Sequence, residues 1–211
     1  MSWLIDPKDV LNSSPIIPVM VIKDVEDAVP MAAALLEGGI SVFEITLRTD
    51  AALGAISAIS KAFPDSLVGA GTVLTPAQYD AAVEAGATFT ISPGFTPKLL
   101  EHAAAGPAPM LPGVSTPSEI MVAAEMGYTY LKFFPAEANG GAKALKAISA
   151  PLADIRFCPT GGINTGNMMD YLSLPCVAAI GGSWMLSADA IREKNWQHIT
   201  HSTTQALATI G

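Results

Sequence analysis

The stretch ATFTISPGFTPKLLEHAAAGPAPMLPGVSTPSEIMVAAEMGYTYLKFF (87–134) carries two consecutive repeats of one unit. A short apolar run (ATFTIS, 87–92) is followed by Thr96 and Pro97, an alanine-rich segment and Gly106. A second run (APMLPG, 108–113) is followed by Thr116, Pro117, another such segment and Gly127, and then YTYLKFF (128–134) begins the next unit. Threonine before a first-turn proline is a helix start, and glycine after the periodic segment is a helix stop. Apolar runs this short and continuous read as strands covered on both faces, so the unit is a strand and a crossover helix in a parallel sheet.

The same unit extends in both directions. Upstream, PIIPVMVI (15–22), ISVFEITL (40–47) and LVGAGTV (67–73) are strands. Asp24 caps the helix after the first, and Thr75 with Pro76 opens the helix after the third. Downstream, IRFCPT (155–160) and VAAIGGS (177–183) are strands followed by helices near 164–172 and 188–209. Eight strands alternating with eight helices predict an α/β protein, a (β/α)8 TIM barrel folded as one domain over residues 1–211. An open doubly wound sheet would carry a GxGxxG turn after its first strand, and VIKDVEDA has none.

Composition agrees. Of the 211 residues, 50% are apolar and only 14% are charged, which opposes disorder and favours buried elements. The mean hydropathy is positive. Even so, no run approaches the roughly 18 apolar residues of a membrane span, and MSWLIDPKDV has no signal-like pattern, so no membrane partner and a cytoplasmic location are expected. A net charge of −8 without a basic block argues against nucleic acid. Cys158 and Cys176 sit in apolar runs and read as small core residues. His102, His198 and His201 have no ligand spacing, so no metal is expected.

Chemistry in this fold sits where strands end. Lys132, in YTYLKFFPAE, is flanked by apolar residues. Apolar surroundings disfavour an ammonium, and a neutral amine attacks ketones. The residues alone leave this open against a lysine whose head merely snorkels to the strand end. In GISVFEITLR, alternation puts Val42, Glu44 and Thr46 on one face, with Arg48 at the same parity, so carboxylate and guanidinium are expected to share the barrel mouth. Glycine pairs in PTGGI (159–163) and IGGS (180–183) end the last two strands, where backbone N–H groups can hold a phosphate.

These motifs resemble those of the 2-keto-3-deoxy-6-phosphogluconate aldolase family, which also cleaves 4-hydroxy-2-oxoglutarate. GISVFEITLR (39–48) is similar to its glutamate motif and GYTYLKFFPAEANGG (127–141) to its Schiff-base lysine motif. GAGTVLTP (69–76), ISPGFTP (91–97), LPGVSTPSE (111–119), FCPTGGI (157–163) and IGGSWM (180–185) follow in the family's order, so the likeness covers nearly the whole chain. It implies a class I aldolase without metal or other cofactor, acting on a 2-oxo sugar acid phosphate and releasing pyruvate. It implies imine formation at Lys132, acid–base work by Glu44, and a pyruvate site of Arg48, Thr72, Pro93, Phe134 and Thr160. It further implies phosphate binding by Gly161, Gly162, Gly182 and Ser183, and a homotrimer.

A carboxylate touching Lys132 would hold the amine as ammonium. Arg48 is therefore expected to neutralise Glu44 partly, and a water or substrate group to separate Glu44 from Lys132. Two other functions remain on the residues: a sugar-phosphate isomerase or epimerase, and a non-catalytic barrel that senses a phosphorylated acid. Both could share the glycines, but neither needs a buried lysine. Release of pyruvate from the substrate separates all three.

Overall fold

In the computed structural model, which describes residues 1–211, strands and helices alternate as the repeats predict. The strands are β1 (Ile16–Met20), β2 (Val42–Thr46), β3 (Leu67–Gly71), β4 (Phe89–Ile91), β5 (Met110–Leu111), β6 (Gly113–Val114), β7 (Tyr130–Phe133), β8 (Arg156–Pro159) and β9 (Ile180–Gly182). Six pair in the order β5-β4-β3-β2-β1-β9, and three in the order β6-β7-β8. Every ladder is parallel. The fold is thus α/β, with parallel sheets.

The two sheets touch at both ends. The run expected as one strand over 108–113 is two pieces, β5 and β6, on either side of Pro112. Proline has no N–H to give a ladder, but its carbonyl accepts from Lys132 N–H at 2.9 Å. At the other end, parallel bridges join Phe157 to Val177 and Thr160 to Gly181. Fifty-four buried apolar side chains form one core cluster. In it the Phe89 ring occupies the space a side chain on Gly69 would need.

The helices are α1 (Pro7–Asn12), α2 (Ala28–Glu37), α3 (Ala52–Ala62), α4 (Pro76–Glu84), α5 (Pro97–Ala105), α6 (Pro117–Glu125), α7 (Gly141–Ser149), α8 (Met168–Leu172), α9 (Ala188–Arg192) and α10 (Trp196–Ile210). The Thr-Pro pairs behave as read. Thr75, Thr96 and Thr116 accept at their hydroxyls from the N–H of Gln78, Leu99 and Glu119. Asp24 accepts from Glu26 N–H, but it caps a short 3-10 turn, Val25–Asp27, ahead of α2.

Several expectations need correction. An additional helix, α1, precedes the first strand and is capped by Asp6. The final helix is two, because Lys194 adopts a left-handed φ of 52° that breaks the chain between α9 and α10. The helix expected near 164 starts only at Met168. Cys176 lies in a half-exposed turn rather than a strand, since the last strand begins only at Ile180, while Cys158 is buried as expected.

Candidate active site

Glu44 is the middle residue of β2, 1% exposed, and pairs in register with Val19 on β1 and Gly69 on β3. Lys132 is the third residue of β7, 6% exposed, in register with Gly113 on β6 and Cys158 on β8. The side chains meet: Lys132 Nζ donates to Glu44 Oε1 at 3.1 Å. The Phe134 ring centroid lies 5.2 Å from Nζ. Neighbouring strands of one register carry their side chains on a common face, and these two residues, from different sheets, converge on the same interior.

The direct contact corrects the expectation that a water or substrate group separates Glu44 from Lys132. In a water-poor interior two opposite charges attract strongly, and a lone one is costly, so the pair closes. Gly71 makes this closure sterically possible, because a side chain there would overlap the Glu44 carboxylate. Nothing in the sequence marked Gly71 for this task.

Arg48 also departs from expectation. It is exposed and forms no ion pair with Glu44. Strand parity stops short of it: β2 ends at Thr46, and Arg48 N–H bends back to the Thr46 carbonyl at 2.8 Å.

Thr72 follows β3 with φ 60°, half-buried. A β-branched residue in the left-handed region costs on the order of 1–3 kcal/mol, and such strain collects at functional sites. Pro93, half-buried after β4, packs its carbonyl against Gly113, the register neighbour of Lys132. Phe134 is half-buried. Thr160 is 6% exposed, two residues beyond Cys158 on the same face, and covers Gly181. Burial first, then the Glu44 charge, push the Cys158 thiol up to about 12, so it stays protonated beside the pair.

The glycine-rich ends form a second grouping. Gly161 and Gly162 have φ of 104° and 79°, a conformation that side chains resist. The backbone N–H groups of Gly161, Gly162 and Ile163 have no intramolecular acceptor, and neither have those of Ser183 and Trp184. Free backbone N–H groups gathered at such turns are able to donate to an anion. Gly182 lies in β9 beside Pro18 and under the Trp184 ring, and Ser183 is exposed just after it. Ser183 and Val19 also line a cavity of about 560 Å³ that Lys23 borders; Lys132 and Glu44 are not in its walls.

The sequence model of the KDPG and KHG aldolases matches residues 8–202. This chain belongs to that family. The KHG/KDPG aldolase of Escherichia coli (strain K12) is 50% identical over 206 residues, covering 98% of this chain and 97% of that protein. The 2-dehydro-3-deoxy-phosphogluconate aldolase of Pseudoalteromonas atlantica is also 50% identical, covering 98% of this chain and 96% of its own. In structure, the chain is similar to the KDPG aldolase of Legionella pneumophila, solved with pyruvate captured at low pH as a covalent carbinolamine intermediate. The TM-score is 0.95 at 49% identity, covering 97% of this chain and all of that one. The family expected from the motifs is therefore the family found. A thiamine phosphate pyrophosphorylase from Pyrococcus furiosus, at TM-score 0.65 and 19% identity, shares the fold alone.

Proposed function

We propose that this KDPG/KHG family member is a class I aldolase that cleaves 2-dehydro-3-deoxy-6-phosphogluconate to pyruvate and glyceraldehyde 3-phosphate. It also splits 4-hydroxy-2-oxoglutarate to pyruvate and glyoxylate. The observation that carries this reading is the buried contact of Lys132 Nζ with Glu44 Oε1, 3.1 Å, in a chain of this family. The two sheets, joined at Pro112 and at the Thr160–Gly181 bridge, are read as one closed (β/α)8 barrel, a single domain over 1–211. The enzyme is taken to act in the cytoplasm as a homotrimer, for which a solution mass of three times 21.8 kDa is expected.

The contact gives a proton on Nζ a destination. Transfer from Nζ to Glu44 leaves a neutral amine and a neutral acid. The amine adds to the C2 ketone, and Glu44 protonates the oxygen as the carbinolamine loses water to the protonated imine. Glu44, again a carboxylate, takes the C4 hydroxyl proton. The C3–C4 bond breaks, its electron pair moves into the imine to form an enamine, and the aldehyde leaves. Protonation at C3 and hydrolysis release pyruvate and regenerate Lys132. Thr72, Pro93, Phe134 and Thr160 surround the pyruvyl group, with Arg48 reaching its carboxylate from the rim. Gly161, Gly162, Gly182 and Ser183 hold the phosphate.

Incubation with pyruvate and borohydride tests the assignment. One reduced pyruvyl group on Lys132 is expected, lost in Lys132→Ala. An adduct mapped to another residue, or none, overturns it. Glu44→Gln is expected to slow turnover far more than it weakens pyruvate binding.

A further inference from the structure

The free N–H groups of Gly161, Gly162 and Ile163, in the loop proposed above to hold the phosphate, have the stem of an acidic side chain packed beside them. Glu137 lies on the segment after β7, and its Cβ and Cγ would stand 2.7 Å from a Cβ on Gly162. Its backbone N–H donates to the Gly161 carbonyl at 3.1 Å. The Gly162 carbonyl is held by the side-chain amides of Asn167 at 3.1 Å and Asn164 at 3.4 Å. With both carbonyls engaged on the protein, the N–H groups of the loop are the ones left to bind. A carboxylate carried beside such a loop is a competing intramolecular anion for its N–H groups.

The Glu137 carboxylate is instead bound elsewhere. The phenol of Tyr171, a fully buried residue of α8, donates to Glu137 Oε1. Burial, followed by this bond, pushes the phenol above its ordinary value, so it remains a donor. We infer that Tyr171 is a positioning residue that ties Glu137 back and keeps the protein's own carboxylate out of the phosphate subsite. This rests on the phosphate reading of the glycine loop. It adds that affinity for the phosphorylated substrate depends on a hydroxyl that touches no ligand.

The test uses the full-length enzyme, with inorganic phosphate as a competitive inhibitor and phosphorylated and phosphate-free, neutral-tailed 2-oxo acids as substrates. Tyr171→Phe frees Glu137. It is expected to raise KM for the phosphorylated substrate and the phosphate inhibition constant by about tenfold, with kcat and the phosphate-free KM unchanged. The double variant Tyr171→Phe/Glu137→Ala is expected to restore both constants, and Glu137→Ala alone to bind phosphate at least as well as wild type. A purely structural Tyr171 would leave the double variant as impaired as the single one, which overturns the proposal. Weaker phosphate binding in Glu137→Ala overturns it too, and that arm stands even if Tyr171→Phe does not fold. If phosphate fails to inhibit the wild type, the phosphate subsite itself is wrong, whereas intact wild-type inhibition with an unaffected Tyr171→Phe removes only the tether.

Discussion

At the scale of the residue, the site depends on what is missing as much as on what is present. Glu44 leans across a position where β3 has no side chain, and Gly71 is that position. Gly71→Ala is expected to push the carboxylate off Lys132 while leaving the strand in place. Overpacking of this kind costs about 1–3 kcal/mol. A displaced proton carrier lowers kcat by about tenfold or more. Denaturant melts and steady-state kinetics read the two effects separately, and unchanged kcat in a destabilised variant would show that the contact is not on the reaction path. Glu44 and Lys132 stood out in the sequence because each is a charge inside an apolar strand. Their contact did not, because it depends on two strands 88 residues apart in the chain.

Among the elements, the helix starts were the clearest text. Thr116 and Glu119 form a full capping box on α6: the Thr116 hydroxyl accepts from Glu119 N–H, and the Glu119 carboxylate accepts from the N–H groups of Ser115 and Thr116. Burial raises the Glu119 carboxyl, but the Ser115 and Thr116 bonds together outweigh it and hold the group below its ordinary value. A depressed carboxyl stabilises the fold above the ordinary glutamate range and loses that contribution as pH falls through the depressed value. Wild type is therefore expected to lose more stability than Glu119→Gln between about pH 5 and about pH 3, by chemical denaturation at each pH. Parallel curves would mean the box contributes nothing. Thr116→Ala should cost about 1 kcal/mol. Less legible were α1, whose six residues are too few for periodicity, and the break at Lys194, a residue with no preference for its φ of 52°.

For the whole molecule, the proposed chemistry divides between two groupings. The Lys132–Glu44 pair sits on β7 and β2, and the free N–H groups on the loops after β8 and β9. Ser183→Ala is accordingly expected to raise KM for the phosphorylated substrate several-fold, to about tenfold, while sparing a phosphate-free 2-oxo acid. Equal losses on both would remove Ser183 from the phosphate end. Because the imine serves as the electron sink, treatment with chelator should leave the rate unchanged, and a rate restored by an added divalent cation would contradict that.

From the amino-acid order alone came the alternation of strand and helix, the caps, the charged residues within apolar strands and the glycine-rich ends, together with the family they resemble. All of these are local, set by periodicity and backbone preference over a few residues. Only the tertiary structure decided that Glu44 touches Lys132, that Arg48 faces solvent, and that the Tyr171 hydroxyl donates to Glu137. Those outcomes depend on how separate strands converge and how burial brings opposite charges together, and no short window of sequence contains either.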